Sequence, residues 1–554
     1  MIITRKKIKL ILIWILLISL ALFFRQIGLN WDRGHHLHPD ERFLTMVGIE
    51  LNWPENIGQY FDTAYSPLNP YNRGFSFFVY GTLPLFLVKK LAILLNKDNY
   101  DQFNLLGRQV VVFFDLGVVI LLGIIGRKII KKNWWLAPFL YAISVLPIQL
   151  AHFFTVDTFL NFFLTATFLF LILFYQKNQK FFLVCSGILL GMALACKITA
   201  GLFLFAIGLS MIVNSIKKKN LLSFFANGII FTIPLFLSFR LFQPYAFINF
   251  FQPNPDFISS LKSLHNFSQP QVWYPPAMQW INTGPFFGFK NLFLWGLGPV
   301  LGLVAGGGII WLLFNFKKQK EKLIWGLISF WILFLFIFQS FQSVKAMRYF
   351  LPIYPFLALV GGKMISDWLI KIDKNKYRWM LLAALVVLLV YPLSFLKIYC
   401  YPHSRFQASE WIYNNIPSGS VLSCEHWDDC LPLGLPDRTR HYETEMLHLW
   451  DKDDKVKWQE INSQLERVDY LILSSNRLWK VISNLPRQYP ETSRFYKDLL
   501  AGKIDFEKVA DFQSIPCFPP IGQSIFCWPD QNADESFTVY DHPEVIIFRK
   551  INEK

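Results

Sequence analysis

The sequence predicts an all-α polytopic membrane domain of about eleven spans over roughly residues 1–400, followed by a small soluble α/β domain over 401–554. Three observations predict it. Hydrophobic residues make up 53% of the 554, with 57 Phe, far above the globular norm. They gather into runs long enough to cross a roughly 30 Å hydrocarbon core at about 1.5 Å per helical residue. Short basic loops separate the runs, which stop near residue 400, where the chain turns polar and rich in Asp, Glu and Trp.

The predicted spans are 10–27, 109–126, 134–151, 157–176, 181–197, 199–216, 221–243, 291–315, 323–341, 350–370 and 379–399. The first follows a basic start (Arg5, Lys6, Lys7, Lys9), and Phe23-Phe24-Arg25-Gln26 is no small-residue cleavage site. It is expected to be retained, with the N-terminus in the cytoplasm. A further apolar stretch, 76–95, is expected to lie along the interface or to re-enter, because it contains Gly81, Pro84 and the Lys89-Lys90 pair. Charge supports that choice. With 76–95 outside the span count, RKIIKK (127–132), Lys217 to Lys219, KKQKEK (317–322) and Lys371 to Arg378 all become cytoplasmic, as the positive-inside rule requires. The loops 28–108, 152–157, 244–290 and 342–349 then face outward, as does everything after 400.

The net charge of +16 comes largely from those loop lysines, so it calls for no polyanionic partner, and nucleic-acid signatures are absent. No internal repeat or pair of broken helices marks an inverted-repeat transporter. In the C-terminal domain a helix over 404–415 stops at Ile416-Pro417-Ser418-Gly419. Residues 421–423, 470–473 and 545–548 read as short buried strands, alternating with helices near 453–466 and 488–501. Spacing pairs Cys424 with Cys430 and Cys517 with Cys527, as an oxidising compartment permits; four small buried thiols would fit the sequence as well. Cys185 and Cys196 lie in spans and read as structural.

Ionisable groups in or beside a span are costly, which makes them functional candidates. The first group is His35-His36-Leu37-His38-Pro39-Asp40-Glu41-Arg42. Adjacent acids in an outward loop suit a general base, Asp40, with Glu41 beside it and His38 and Arg42 in support. The spacing fits no zinc pattern, although a divalent metal is left open. A solvated loop ending in an acidic helix N-terminus after Pro39 is the plainer alternative. The second group is His152 and Asp157, where Asp157 could equally serve as a helix cap. The third is cationic: Lys197, and Lys345 and Arg348 in SVKAMRYFLPIYP. A terminal lysine can snorkel, but outward placement against the charge bias favours an anionic ligand, phosphate above all. Acids and cations together at one rim suit transfer of a sugar from a polyprenyl phosphate: the cations hold the departing phosphate while a carboxylate deprotonates an acceptor hydroxyl.

In family order, these residues resemble the GT-C superfamily of membrane glycosyltransferases, above all the protein O-mannosyltransferases (glycosyltransferase family 39) and the lipid A aminoarabinose transferases. The resemblance covers roughly 1–400 and rests on Asp40-Glu41, Asp157, Lys197 and Arg348-Tyr349-Phe350-Leu351-Pro352. It implies Asp40 as base, Asp157 as support for the acceptor or a metal, and Lys197, Arg348 and Tyr349 at the lipid phosphate. It further implies an inverting hexosyltransferase in the plasma membrane, acting on a polyprenyl-phosphate sugar and a protein, glycan or lipid acceptor. The C-terminal domain matches no module of that family. A secondary transporter or flippase would carry its ionisable groups at the bilayer midplane rather than at span ends. A non-catalytic assembly factor would tolerate alanine at Asp40.

Overall fold

The computed structural model describes residues 5–270, 272–371 and 378–551. They form two compact units: Met1–Leu29, Pro39–Asn266 and Pro285–Pro392 in the first, and Asn30–His38, Phe267–Gly284 and Leu393–Lys554 in the second.

The first unit is helical, and the chain is a multi-pass membrane protein. Among the described residues, eight helices are long and apolar enough to span: Arg5–Gln26, Tyr100–Ile129, Asp157–Lys177, Ile198–Lys217, Leu222–Phe242, Pro299–Lys318, Lys322–Ser340 and Met347–Lys371. A bent pair, Val386–Phe395 with Lys397–Asn415, makes nine if it is one span. The other predicted segments are helical but shorter. Residues 134–151 split into Leu136–Ala142 and Val145–Leu150. Pro147 explains the break, since it has no N–H for the Ile143 carbonyl and its ring crowds that oxygen. Helix Lys180–Leu194 has 15 residues. It packs on Leu222–Phe242 through Gly187 and Gly191, where an added Cβ would meet the Phe231 and Leu235 carbonyl oxygens at 2.3 and 2.4 Å. That close approach is the membrane use of small residues four apart.

In the 76–95 stretch the helix is Thr82–Leu94, 13 residues and therefore about 20 Å long, short of a crossing. Its two lysines diverge. Lys89 is buried against Asp98 at 2.7 Å, while Lys90 is exposed and lies over the Trp53 ring at 4.7 Å.

The second unit is an α/β domain. Its strands are β1 (Val421–Glu425), β2 (Glu443–Leu447), β3 (Tyr470–Leu473), β4 (Phe506–Phe512), β5 (Cys517–Phe518), β6 (Phe526–Cys527) and β7 (Val545–Lys550). Five form a mixed sheet in the order β2-β1-β3-β7-β4. β1 runs parallel to both β2 and β3, and β7 antiparallel to β3 and β4. Helices Ser404–Asn415, Lys455–Arg467 and Pro490–Leu500 fall where the sequence places them. The core gathers Leu447, Trp450, Ile461, Leu471, Tyr496 and Phe548, with Met278 from the Phe267–Gly284 stretch. Disulfides Cys424–Cys430 and Cys517–Cys527 are formed, the latter joining β5 to β6. Cys185 and Cys196 are free thiols, the second buried.

Candidate functional site

Helix Pro39–Glu50 begins at its proline and carries Asp40 and Glu41 in its first turn, where the helix dipole favours acids. Successive helical side chains diverge by about 100°, so the two acids part company. Glu41 turns inward. Both of its oxygens are gripped by Arg108, from Nε to Oε1 at 2.7 Å and from Nη2 to Oε2 at 2.9 Å, and neither side chain has any exposure. Arg108 also donates to the Leu29 carbonyl at 2.9 Å, tying the end of the first span to the same knot.

Asp40 keeps about a fifth of its surface, as does Arg348, with which it pairs. The Tyr80 phenol also hydrogen-bonds Asp40. Burial, reinforced by the Asp40 charge, pushes this phenol well above its ordinary range, so Tyr80 is the donor. Arg348 sits in the short turn Met347–Ile353. The next residue, Tyr349, presents its ring to two cations: Lys197 Nζ lies 4.4 Å from the centroid and the Arg348 guanidinium 5.7 Å. Lys197 joins helix Lys180–Leu194 to the turn Ile198–Leu202 in extended conformation and donates to Asp157 Oδ1 at 2.8 Å. Gly81, beside Tyr80, donates from its backbone to the carbonyl of Cys196, beside Lys197, at 3.0 Å. A continuous polar chain results: Asp40, Arg348, Tyr349, Lys197, Asp157. Asp157 is the first residue of its helix, whose cap position is Val156, so the side chain serves Lys197 and not the helix end. Lys345, three residues before Arg348, is buried, and burial pushes its ammonium group below the usual lysine range.

His152 is buried with Nδ1 2.8 Å from the Ile148 carbonyl and Nε2 2.9 Å from that of Ile27, pinning backbone. Arg42 is half-buried on the helix that bears Asp40. His38 belongs to the second unit, with its ring 4.2 Å from that of Tyr540. Tyr80 and Arg108 are members that sequence reasoning missed. A tyrosine in a loop carries no signal, but Arg108 is a charge inside an apolar helix and could have been read as one. So could Arg25 and Asp115, which pair deep in the same unit, where Asp115 also accepts from the Tyr141 hydroxyl at 2.5 Å.

Among the described residues, no three His, Cys, Asp or Glu side chains converge to hold a metal ion. Each of the three site acids is matched to a cation instead.

Two family models match. One, described as dolichyl-phosphate-mannose-protein mannosyltransferase, covers residues 105–240. The other, described as the Alg9-like mannosyltransferase family, covers 284–418. Asp157 and Lys197 fall in the first, Arg348 and Tyr349 in the second. No curated protein matches significantly. Among solved structures, the chain is similar to the Archaeoglobus fulgidus oligosaccharyltransferase in complex with Zn and sulfate. The TM-score is 0.52 at 13% identity, covering 87% of this chain and 71% of that one. The chain is also similar to ArnT from Cupriavidus metallidurans bound to undecaprenyl phosphate, at TM-score 0.44 and 14% identity, covering 96% of this chain and 97% of that one. Over two separate segments the chain thus resembles mannosyltransferase families, and it shares its fold with the oligosaccharyltransferase.

Proposed function

We propose that this chain moves a sugar from a polyprenyl-phosphate donor to an acceptor hydroxyl, with inversion, at the outer face of the plasma membrane. The observation that carries the reading is the chain of contacts from Asp40 through Arg348, Tyr349 and Lys197 to Asp157. It supplies a carboxylate base and, linked through one aromatic ring, two cations suited to phosphate. The mannosyltransferase family descriptions and the excess of lysines in the other set of loops support donor class and sidedness.

In the resting site both cations are occupied by acids. An arriving lipid phosphate takes Arg348 and Lys197, which frees Asp40 and Asp157. Asp40 then accepts the proton of the acceptor hydroxyl as that oxygen bonds to the anomeric carbon. The bond from that carbon to the phosphate oxygen breaks on the opposite side, and its electron pair leaves on the phosphate. Arg348 and Lys197 stabilise the charge that develops there. Tyr80 holds the Asp40 carboxylate in place, and Asp157, released from Lys197, orients the acceptor.

The test supplies purified protein with radiolabelled polyprenyl-phosphate mannose and other polyprenyl-phosphate hexoses, together with a membrane extract as acceptor source. Label should pass to acceptor with the wild type, and Asp40→Asn should reduce turnover on the order of a hundredfold or more. Folded wild-type protein that consumes none of these donors would overturn the reading.

A further inference from the structure

The C-terminal unit holds a second arrangement that the transfer chemistry leaves unused. β1 lies between β2 and β3, all three parallel, so their carboxyl ends share one edge. The chain leaves β1 for β2 on one side and returns through helix Lys455–Arg467 to β3 on the other. Such a reversal of strand order opens a crevice where α/β sheets take ligands.

The loop after β1 is fixed on several sides. The Cys424–Cys430 disulfide closes it. Arg405 donates to Asp428 at 2.5 Å, to Asp429 at 2.6 Å and to the Ser474 carbonyl after β3 at 3.1 Å. Arg477 donates to the Trp427 carbonyl at 2.9 Å and to Glu535 at 2.9 Å. All this holds Trp427 at φ +81°, a left-handed conformation that a bulky residue pays strain to adopt, with its side chain 40% exposed. Nothing about closing the loop requires an indole there; glycine would do so without strain.

The surroundings define what the indole can receive. Tyr274 stands perpendicular to it at 6.0 Å, His426 lies at 5.6 Å, and His448 is 4.4 Å beyond His426. Burial and the neighbouring His448 push His426 below the usual histidine range, which keeps its ring neutral. Its Nδ1 has no partner among the described residues. At the end of β1, Glu425 is fully buried. It accepts from Tyr496 at 2.5 Å through Oε1, while Oε2 has no partner among the described residues. Burial pushes this carboxyl well above its ordinary range. The loop's own charges are consumed in the Arg405 and Arg477 contacts. What is left accessible is the exposed indole face of Trp427 with the half-buried His426 ring beside it. That suits an uncharged ligand with an apolar face and a ring of hydroxyls, and it does not suit a phosphate or an acidic chain.

We propose that the carboxyl edge of β1, β2 and β3 binds a pyranose ring of a glycan, stacked on Trp427 with His426 and His448 bonding its hydroxyls. The sugar site stands on this geometry; its identification as the acceptor site rests on the transferase reading above. The probes are methyl α-mannopyranoside, methyl β-galactopyranoside and N-acetylglucosamine, added to the full chain in detergent and followed by saturation-transfer NMR. At least one should receive saturation on the protons of one ring face. Trp427→Gly should abolish that signal while melting at or above the parent temperature, because it relieves the left-handed strain. Asp40→Asn should keep the signal. The proposal is overturned if none of the three sugars is saturated, if Trp427→Gly leaves the signal intact, or if that variant melts well below the parent, which makes the indole a packing element. Saturation of a Ser/Thr-rich peptide in place of all three sugars would also overturn it, in favour of a protein ligand. Sugar binding without consumption of any polyprenyl-phosphate donor sinks the transferase reading and leaves this site standing; transfer without sugar binding does the reverse.

Discussion

Asp40→Asn should make the protein bind its lipid phosphate more tightly while nearly abolishing turnover. In the resting site Arg348 is held by Asp40, and a phosphate must draw it away. Both side chains are about one-fifth exposed, between a surface pair worth 0.2–1 kcal/mol and an enclosed charged hydrogen bond worth about 1.5–3. An intermediate value of about 1 kcal/mol corresponds to roughly a fivefold change in Kd. Asparagine can still accept from Arg348 but carries no charge, so most of that competition disappears. Titration calorimetry of polyprenyl phosphate into detergent-solubilised protein measures it directly. Arg348→Ala alone should weaken binding by about 1–3 kcal/mol. The double variant should match Arg348→Ala, because the tightening exists only through Arg348. Unchanged or weaker binding in folded Asp40→Asn would refute the exchange of partners, and so would tightening that survives the loss of Arg348.

Two further outcomes separate structural pairs from functional ones. Arg108→Ala should cost about 3–5 kcal/mol, since it strands the fully buried Glu41 charge, whereas Arg348→Ala should cost under about 1; equal thermal melts for the two would contradict the division of roles. In the C-terminal unit, burial disfavours a charged His542, but the Asp541 and Asp530 carboxylates outweigh it and push the ring up to about 10. A folded-state value above the unfolded one stabilises fully below about pH 6.5 and is lost as pH rises toward 10. Unfolding of this unit, followed by tryptophan fluorescence, should therefore become easier across that window in wild type and flatten in His542→Gln.

Most of the spans were legible because apolar runs of bilayer length have no stable place in water, although 134–151 and 181–197 gave shorter helices, and the strands buried on both faces, β1, β3 and β7, were legible for a related reason. β2 and β4 were not. Glu443 and Glu445 in one, and Glu507, Lys508 and Asp511 in the other, give each strand a charged face and hide its apolar signal. Asp40, Asp157, Lys197 and Arg348 could be named from sequence because charge beside a span is expensive. Their pairing could not, for Asp40 and Arg348 are 308 residues apart and only the packing of the helices decides that they meet. Adjacent acids also suggested a joint role for Asp40 and Glu41, which helix phase then divides.

That division has a physical cause in helix Tyr100–Ile129. Arg108 and Asp115 lie two turns apart and so share a face. Asp115 holds Arg25 of the first span; Arg108 holds Glu41 and the Leu29 carbonyl. Buried ion pairs are weak sources of net stability, and apolar residues of similar volume often serve as well. An apolar contact, however, would leave helix Pro39–Glu50 free to turn about its axis. Bidentate hydrogen bonds from a guanidinium fix direction as well as distance. Rotation by about 100° would exchange the two adjacent acids, sending Glu41 toward Arg348 and Asp40 into the interior. The Arg108 fork resists that rotation, and it thereby selects which carboxylate stands beside Arg348.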